Sequence, residues 1–339
     1  MSKRVLIVED SILMQQLISD IISATDEFEV CGSARDVVEG WAKFNKLKPD
    51  VVTLDYELPG ENGLALLAKI MNTNPVPVLI ISAYTKEGAD VTIRSLEMGA
   101  VDFFTKPSGT ISIDLHHYSD ELSNKLKLVA QANVMRRIKK KISPRINEVS
   151  ELYIGIAAST GGVRTLNYLI PALPVHNNLR VFVVQHMPKY FTASLASHLN
   201  ERSSLPVKEA RDGELIARGE ILIAPGGYQT RVDVSGTKVL VTNEPARHGV
   251  KPSADILFES MAAIFKEKSV GIVLTGMGRD GADGIKVIKN HRGATIAQEP
   301  GDAVISGMPQ SAINTGSVDY VLPVRSIPDK ILELMRKGA

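Results

Sequence analysis

Three scarcities bound this chain before any motif is read: one cysteine, almost no net charge and no long apolar run. A lone Cys31 cannot close an internal disulfide, which fits a reducing compartment, so a cytoplasmic location is expected. Lysines and arginines number 39 against 38 aspartates and glutamates, and a net charge of +1 offers no field to gather nucleic acid or an anionic membrane. No apolar stretch approaches the roughly 18 residues that span a bilayer. The first, residues 5–8, is too short for a secretory leader. No internal repeat or low-complexity tract is present. What remains is an ordinary globular composition, 44% hydrophobic and 23% charged, over 339 residues. That length exceeds one ordinary core, so two domains are expected.

Residues 1 to about 107 alternate short apolar runs with amphipathic stretches. The runs at 5–8, 28–31, 51–54, 78–81 and 101–105 read as strands; 11–24, 36–47, 62–72 and 86–98 read as helices. This alternation predicts a parallel sheet with helices on both faces, its polar site beyond the strand ends. From Leu122 a four-residue rhythm follows (Leu126, Ala130, Val134, Ile138, Ile142), a helical stripe ended by Pro144. Arg136, Arg137, Lys139, Lys140 and Lys141 occupy its other faces, as on a solvated linker. The expected division is 1–123, a linker helix over 124–148, and 149–339.

Beyond the linker, strands are expected at 152–157, 180–184, 220–223, 231–234, 238–241, 270–274 and 294–297. Helices are expected at 162–170, 190–201, 255–267, 281–290 and 326–337. The second domain therefore also reads as α/β, doubly wound with a mainly parallel sheet and an antiparallel patch around Ser235-Gly236.

Two groups of chemistry-bearing residues sit at these strand ends. In the first half Glu9 and Asp10 follow one strand and Asp55 ends another. Three converging carboxylates repel unless a cation joins them, and their hard oxygens suit Mg²⁺. Ser82 and Lys106, each ending a strand, supply a hydroxyl and a positive charge for a phosphoryl group accepted by Asp55. These five positions resemble the receiver domain of response regulators. The resemblance implies a flavodoxin-like fold with a parallel five-stranded sheet. It also implies phosphorylation at Asp55, metal ligation by Glu9, Asp10 and Asp55, switch residues Ser82 and Lys106, and a cis Lys106-Pro107 peptide. Glu9 departs from the commoner aspartate.

In the second half Ser159 follows a strand and precedes Gly161-Gly162 and a helical pattern, an exposed turn near free N–H groups. A phosphate-binding loop is the competing reading of those glycines. The dinucleotide fingerprint fails, because Ala157 stands where its second glycine belongs. His186 and Asp280 follow two other strands. Serine, histidine and carboxylate at three strand ends of one domain have the makings of a triad. Their order, Ser-His-Asp, is not that of α/β-hydrolases.

The motifs Ala158-Ser-Thr-Gly-Gly162, Gln185-His-Met-Pro188, Lys251-Pro-Ser-Ala-Asp255 and Thr275-Gly-Met-Gly-Arg-Asp-Gly281 resemble the chemotaxis protein-glutamate methylesterase family. The resemblance implies Ser159 as nucleophile, His186 as general base and Asp280 as orienting carboxylate, with Thr160 and Met277 at the oxyanion. It implies methyl-ester hydrolysis on chemotaxis receptors, glutamine deamidation as a second activity, and a histidine kinase as phosphodonor. The order of the domains adds an expectation, that the unphosphorylated receiver limits access to the esterase site. No cofactor is expected for ester hydrolysis, no zinc site among the other histidines, no role for nucleic acid or membrane insertion, and a monomer. Arg279 stands where a smaller polar residue is expected, and His248 is read as structural or as part of the substrate rim. Two other classes compete: a transcriptional response regulator, which requires a helix-turn-helix module, and a nucleotide-dependent oxidoreductase.

Overall fold

The computed structural model describes residues 2–106, 115–132 and 149–337, and the chain divides into two compact units. In the first, five strands alternate with five helices: β1 Lys3–Val8, α1 Ile12–Ser23, β2 Phe28–Ala34, α2 Val37–Leu47, β3 Val51–Asp55, α3 Gly63–Thr73, β4 Val78–Ser82, α4 Lys86–Met98, β5 Asp102–Thr105 and α5 Leu115–Gln131. The sheet is parallel in the order β2-β1-β3-β4-β5, the flavodoxin-like winding. Every residue of β3 and β4 is buried, as strands covered on both faces require.

Helix α5 corrects the expected linker. Leu122, Leu126, Val129 and Ala130 are buried, α5 packs on β4 and β5 and beside α1, and Lys125 Nζ reaches the Asp102 carboxylate at 3.3 Å. Residues 124–131 therefore belong to the first unit. A four-residue rhythm marks a packed stripe equally well whether its partner is a sheet or another segment, and here the partner is the sheet. The rest of the rhythm (Val134, Ile138, Ile142), Pro144, the basic run and Pro107 lie outside the described residues.

The second unit contains β6 Leu152–Ala158, α6 Gly162–Ala172, β7 Leu179–Gln185, α7 Phe191–Asn200, β8 Val207–Glu209, β9 Glu220–Ile223, β10 Gln229–Val232, β11 Val239–Thr242, α8 Ala254–Phe265, β12 Ser269–Val273, α9 Ala282–Asn290, β13 Ala294–Gln298, α10 Gly307–Ile313, β14 Tyr320–Leu322 and α11 Ile327–Lys337. Its seven-stranded sheet runs β14-β13-β12-β6-β7-β9-β8, parallel throughout. The pair β10–β11 forms the antiparallel ribbon expected near Ser235-Gly236. From β6 the chain winds outward through β7, then returns to place β12 on the other side of β6. Right-handed crossovers in opposite directions put α6 and α7 on one face and α9 on the other. The winding reverses between β6 and β12, and at such a switch point an open α/β sheet leaves a crevice beyond its carboxyl ends.

Gly155 on β6 and Gly284 on α9 let α8 approach that crevice closely. Gly155 and Gly271 are cross-strand partners. A Cβ on Gly155 would lie 2.6 Å from the ring of Phe258, and one on Gly284 would lie 2.6 Å from the Phe258 Cβ. The fully buried Phe258 fills this hollow, a contribution of about 2–3 kcal/mol. Its burial seats α8 against the sheet and aims the helix's first turn at the strand ends.

Candidate active site

Strand register delivers the predicted residues of the second unit to one place. Ala158 on β6 pairs with Gln185 on β7, and the His186 N–H donates to the Ala158 carbonyl at 3.0 Å. Ser159 and His186 thus leave adjacent strand ends about 5 Å apart. On the other side the Ser159 N–H donates to the Thr275 carbonyl at 3.0 Å, tying the serine to the loop after β12. The Gln185 amide, almost fully buried, donates to the carbonyls of Ser159 (2.9 Å) and His186 (3.3 Å), clasping both loops.

Asp280 faces this pair from the β12–α9 loop. His186 Nε2 lies 2.8 Å from Asp280 Oδ2, leaving Nδ1 as the second ring nitrogen. Both carboxylate oxygens are taken up: Oδ2 also accepts from the Ala254 N–H at 2.7 Å, and Oδ1 accepts from Ser253 Oγ at 2.6 Å and the Asp255 N–H at 3.1 Å. These donors form the first turn of α8, whose positive end favours an anion. Burial alone would raise the Asp280 carboxyl, but the hydrogen bond and charge of His186, with the Ser253 and Ala254 donors, hold it below the usual carboxylate range. Among the described residues no hydrogen bond joins Ser159 Oγ to the His186 ring. Such contacts are often open without substrate.

Thr160 and Met277 flank the serine. Thr160 is buried at the start of the Gly161-Gly162 turn, its carbonyl accepting from Thr275 Oγ1 at 2.9 Å, while Met277 is 49% exposed. Arg279 points along the surface to Asp283, 3.1 Å away. His248 bonds Asp255 rather than a member of the catalytic set. Ser253 and Asp255 were readable as a motif but not as partners of Asp280. A serine two residues before an aspartate at the head of an apolar run was the available signal, that of a helix start.

In the first unit Lys106 Nζ lies 2.7 Å from Asp55 Oδ2 and 3.2 Å from Glu9 Oε2. Glu9, Asp10 and Asp55 each bring a carboxylate oxygen within 4.8 Å of the others. Burial and the Asp55 charge push the Glu9 carboxyl up to about 7, and burial also raises Asp55 despite its ammonium partner. Burial would lower Lys106, but hydrogen bonding and charge from Asp55 outweigh it and raise it. Buried Glu9 Oε2 receives no well-directed hydrogen bond. Crowded, under-satisfied oxygens of this kind fit a hard divalent cation. Ser82 is turned away from Asp55: its Oγ accepts from Thr92 Oγ1 at 2.7 Å and donates to the Gly88 carbonyl at 3.2 Å.

Fold and sites together define a class, a phosphoacceptor-type receiver carried on the same chain as an α/β domain of hydrolase type. The second unit's parallel sheet is not a helix-turn-helix module. Residues 5–115 match the family model of the response regulator receiver domain, and 154–331 match that of the CheB methylesterase. The chain belongs to the CheB methylesterase family. It is 44% identical, over 99% of its length and 95% of the relative's, to the protein-glutamate methylesterase/protein-glutamine glutaminase of Pyrococcus abyssi. To the protein of the same description from Thermotoga maritima it is 39% identical over 98% of both chains. The crystal structure of the Thermotoga maritima CheB methylesterase catalytic domain matches 55% of this chain and all of its own, with 40% identity and a TM-score of 0.53.

The crowding at Ser159 gives a first test. A Cβ on Gly276 would lie 2.3 Å from Met308 Sδ and 2.7 Å from Ser159 Cβ. Gly276→Ala is expected to displace the serine and lower kcat about 10- to 100-fold. Steady-state rates with a thermal melt check this; a folded variant of unchanged kcat would show that the position tolerates a methyl group.

Proposed function

We propose that this protein hydrolyses glutamate γ-methyl esters on chemotaxis receptors, releasing methanol, under control of phosphorylation at Asp55. The observation that carries the reading is the His186–Asp280 pair set beside Ser159 at the switch point of the second sheet. In the reaction, His186 Nδ1 takes the Ser159 proton as Oγ attacks the ester carbonyl. The oxyanion is received by the backbone N–H groups of Thr160 and Met277. As the tetrahedral intermediate collapses, methanol leaves with the proton held by His186. Water, deprotonated by the same ring, then releases the glutamate carboxylate and restores the serine. A side-chain amide has nearly the shape of the ester, so glutamine deamidation follows by the same steps with ammonia as leaving group.

In the receiver, Glu9, Asp10 and Asp55 would hold Mg²⁺, which when bound offsets the charge of the incoming phosphoryl group. Asp55 accepts that group from a histidine kinase, and Lys106 stands ready to pair with it. Ser82 Oγ would have to leave Thr92 and Gly88 to reach the phosphoryl oxygens, a local rearrangement suited to a switch. Among the described residues no helix is long and apolar enough to cross a membrane.

The test is methanol release from methylated receptor membranes, with and without Mg²⁺ and a small-molecule phosphodonor. The phosphodonor is expected to raise the initial rate about tenfold, and Asp55→Asn to abolish the increase while leaving the basal rate. Absence of methanol in every condition would reject the esterase reading; stimulation surviving in Asp55→Asn would reject the site of control.

A further inference from the structure

Asp280 is not the only carboxylate at the head of α8. Asp255, whose N–H bonds Asp280, has a fully buried side chain. Its Oδ1 accepts from the Gly284 N–H at 2.6 Å, in the first turn of α9, and its Oδ2 lies 3.0 Å from His248 Nε2. Two histidine–carboxylate pairs therefore stand back to back across one helical turn, His186–Asp280 and His248–Asp255. No step of the proposed reaction uses the second.

A buried carboxylate beside another is costly unless its contacts compensate. Burial first, and then the charges of Asp280 and Asp283, push Asp255 up to about 6, against the Gly284 donor and Arg247. The groups that face it are Asp280, Asp283 (through His248 Nε2, at 3.6 Å), Arg247 Nε at 3.9 Å and His248. Asp283 is itself paired with Lys286 at 2.8 Å and Arg279 at 3.1 Å. His248, Asp255 and Asp283 bring ligand atoms within 4.8 Å of one another, but Asp283 is already held by Lys286 and Arg279. What the Asp255 side chain does mechanically is join the starts of α8 and α9, which bracket Asp280: the one supplies its donors, the other follows it in sequence.

We propose that Asp255 and His248 form one positioning unit, clamping the first turn of α8 to that of α9 and thereby fixing Asp280 and, through it, the His186 ring. This rests on the esterase reading for its kinetic consequences but not for its geometry. Asp255→Asn is the informative variant, because an amide can still accept from Gly284 and donate to a neutral His248 while losing only the charge. Removing a negative charge behind Asp280 alters the field on the His186–Asp280 pair without removing a hydrogen-bonding atom from the clamp.

The experiment uses the full chain with Asp255→Asn, His248→Gln and both together. Each single change is expected to lower kcat about tenfold with KM within about twofold. The double variant is expected to be no worse than the poorer single one, as for residues acting as a unit. The NMR resonance of the His186–Asp280 ring proton, read without substrate, is expected to be displaced in both singles. Multiplicative losses in the double variant, or a resonance unmoved in Asp255→Asn, would overturn the proposal. Wild-type turnover and its loss in Ser159→Ala test the esterase reading separately, and the resonance reports the positioning whether or not that reading stands.

Discussion

Ser159→Ala is expected to cut methanol release on the order of 10⁵-fold while leaving a folded protein. The first half of that expectation follows from the chemistry. Without Oγ no acyl intermediate forms, and only transition-state binding by the N–H groups around the crevice remains. The second half follows from the packing. The serine is half-buried, its backbone N–H and carbonyl carry the hydrogen bonds to Thr275, Gly162 and Gln185, and its hydroxyl makes no hydrogen bond among the described residues. Removing Oγ should therefore change stability by less than about 0.5 kcal/mol. Three measurements on one preparation check it: methanol release, thermal melting, and labelling by a fluorophosphonate, which only an activated serine accepts. Turnover within tenfold of wild type, or labelling retained in the variant, would remove Ser159 from the mechanism.

Much of the fold was legible because of how parallel sheets are buried. Strands covered on both faces read as continuous apolar runs, and β1, β3, β4, β6, β7 and β12 each appear so. The site was legible for a related reason, since open α/β sheets put their chemistry just past such runs. Legibility failed where the deciding partner is remote in sequence. The three-residue strands β8 and β14 carry no period of their own, and α10 is short and opens on Gly307-Met-Pro309, so no element was expected at any of the three. The α5 stripe looks alike on a linker and on a sheet. The ribbon was placed correctly but its strands were not: β10 begins at Gln229 rather than at 231, because Gln229 is fully buried by contacts at Pro245 and Ser253 that its own neighbourhood does not announce.

Side-chain direction lies further still from the sequence. Position 82 was read as a hydroxyl serving Asp55, yet its Oγ faces Thr92. Asp280 was legible as a carboxylate but not as the anion that caps α8, because Ser253, Ala254 and Asp255 lie 25 or more positions away. That second duty changes what its removal should do.

Asp280→Ala is therefore expected to cost both turnover and stability. Loss of the orienting carboxylate should lower kcat about 10⁴-fold. Loss of the buried anion strands the Ser253 hydroxyl and the Ala254 and Asp255 N–H groups, a destabilisation of about 3–5 kcal/mol. Asp280→Asn separates the two effects. Each carboxylate oxygen accepts two donors, so the new NH₂ must confront two of them whichever way the amide lies. Towards Oδ2 it meets the Ala254 N–H and His186, and would force the ring into the tautomer that cannot accept the serine proton. Towards Oδ1 it meets the Asp255 N–H and a hydroxyl, and the Ser253 hydroxyl can rotate to accept. The second orientation is cheaper and keeps the His186 tautomer, so Asp280→Asn should retain at least about tenfold more activity than Asp280→Ala. The pH dependence has a fixed sign as well. Because the folded protein holds Asp280 below the usual carboxylate range, its contribution to stability is present above about pH 4 and drains away as pH falls through the lowered value. Melting curves of wild type and Asp280→Ala should therefore converge on acidification. A gap that stayed constant into strong acid, or an asparagine variant as inactive as the alanine one, would mean that the carboxylate does not hold the crevice in the way its four hydrogen bonds imply.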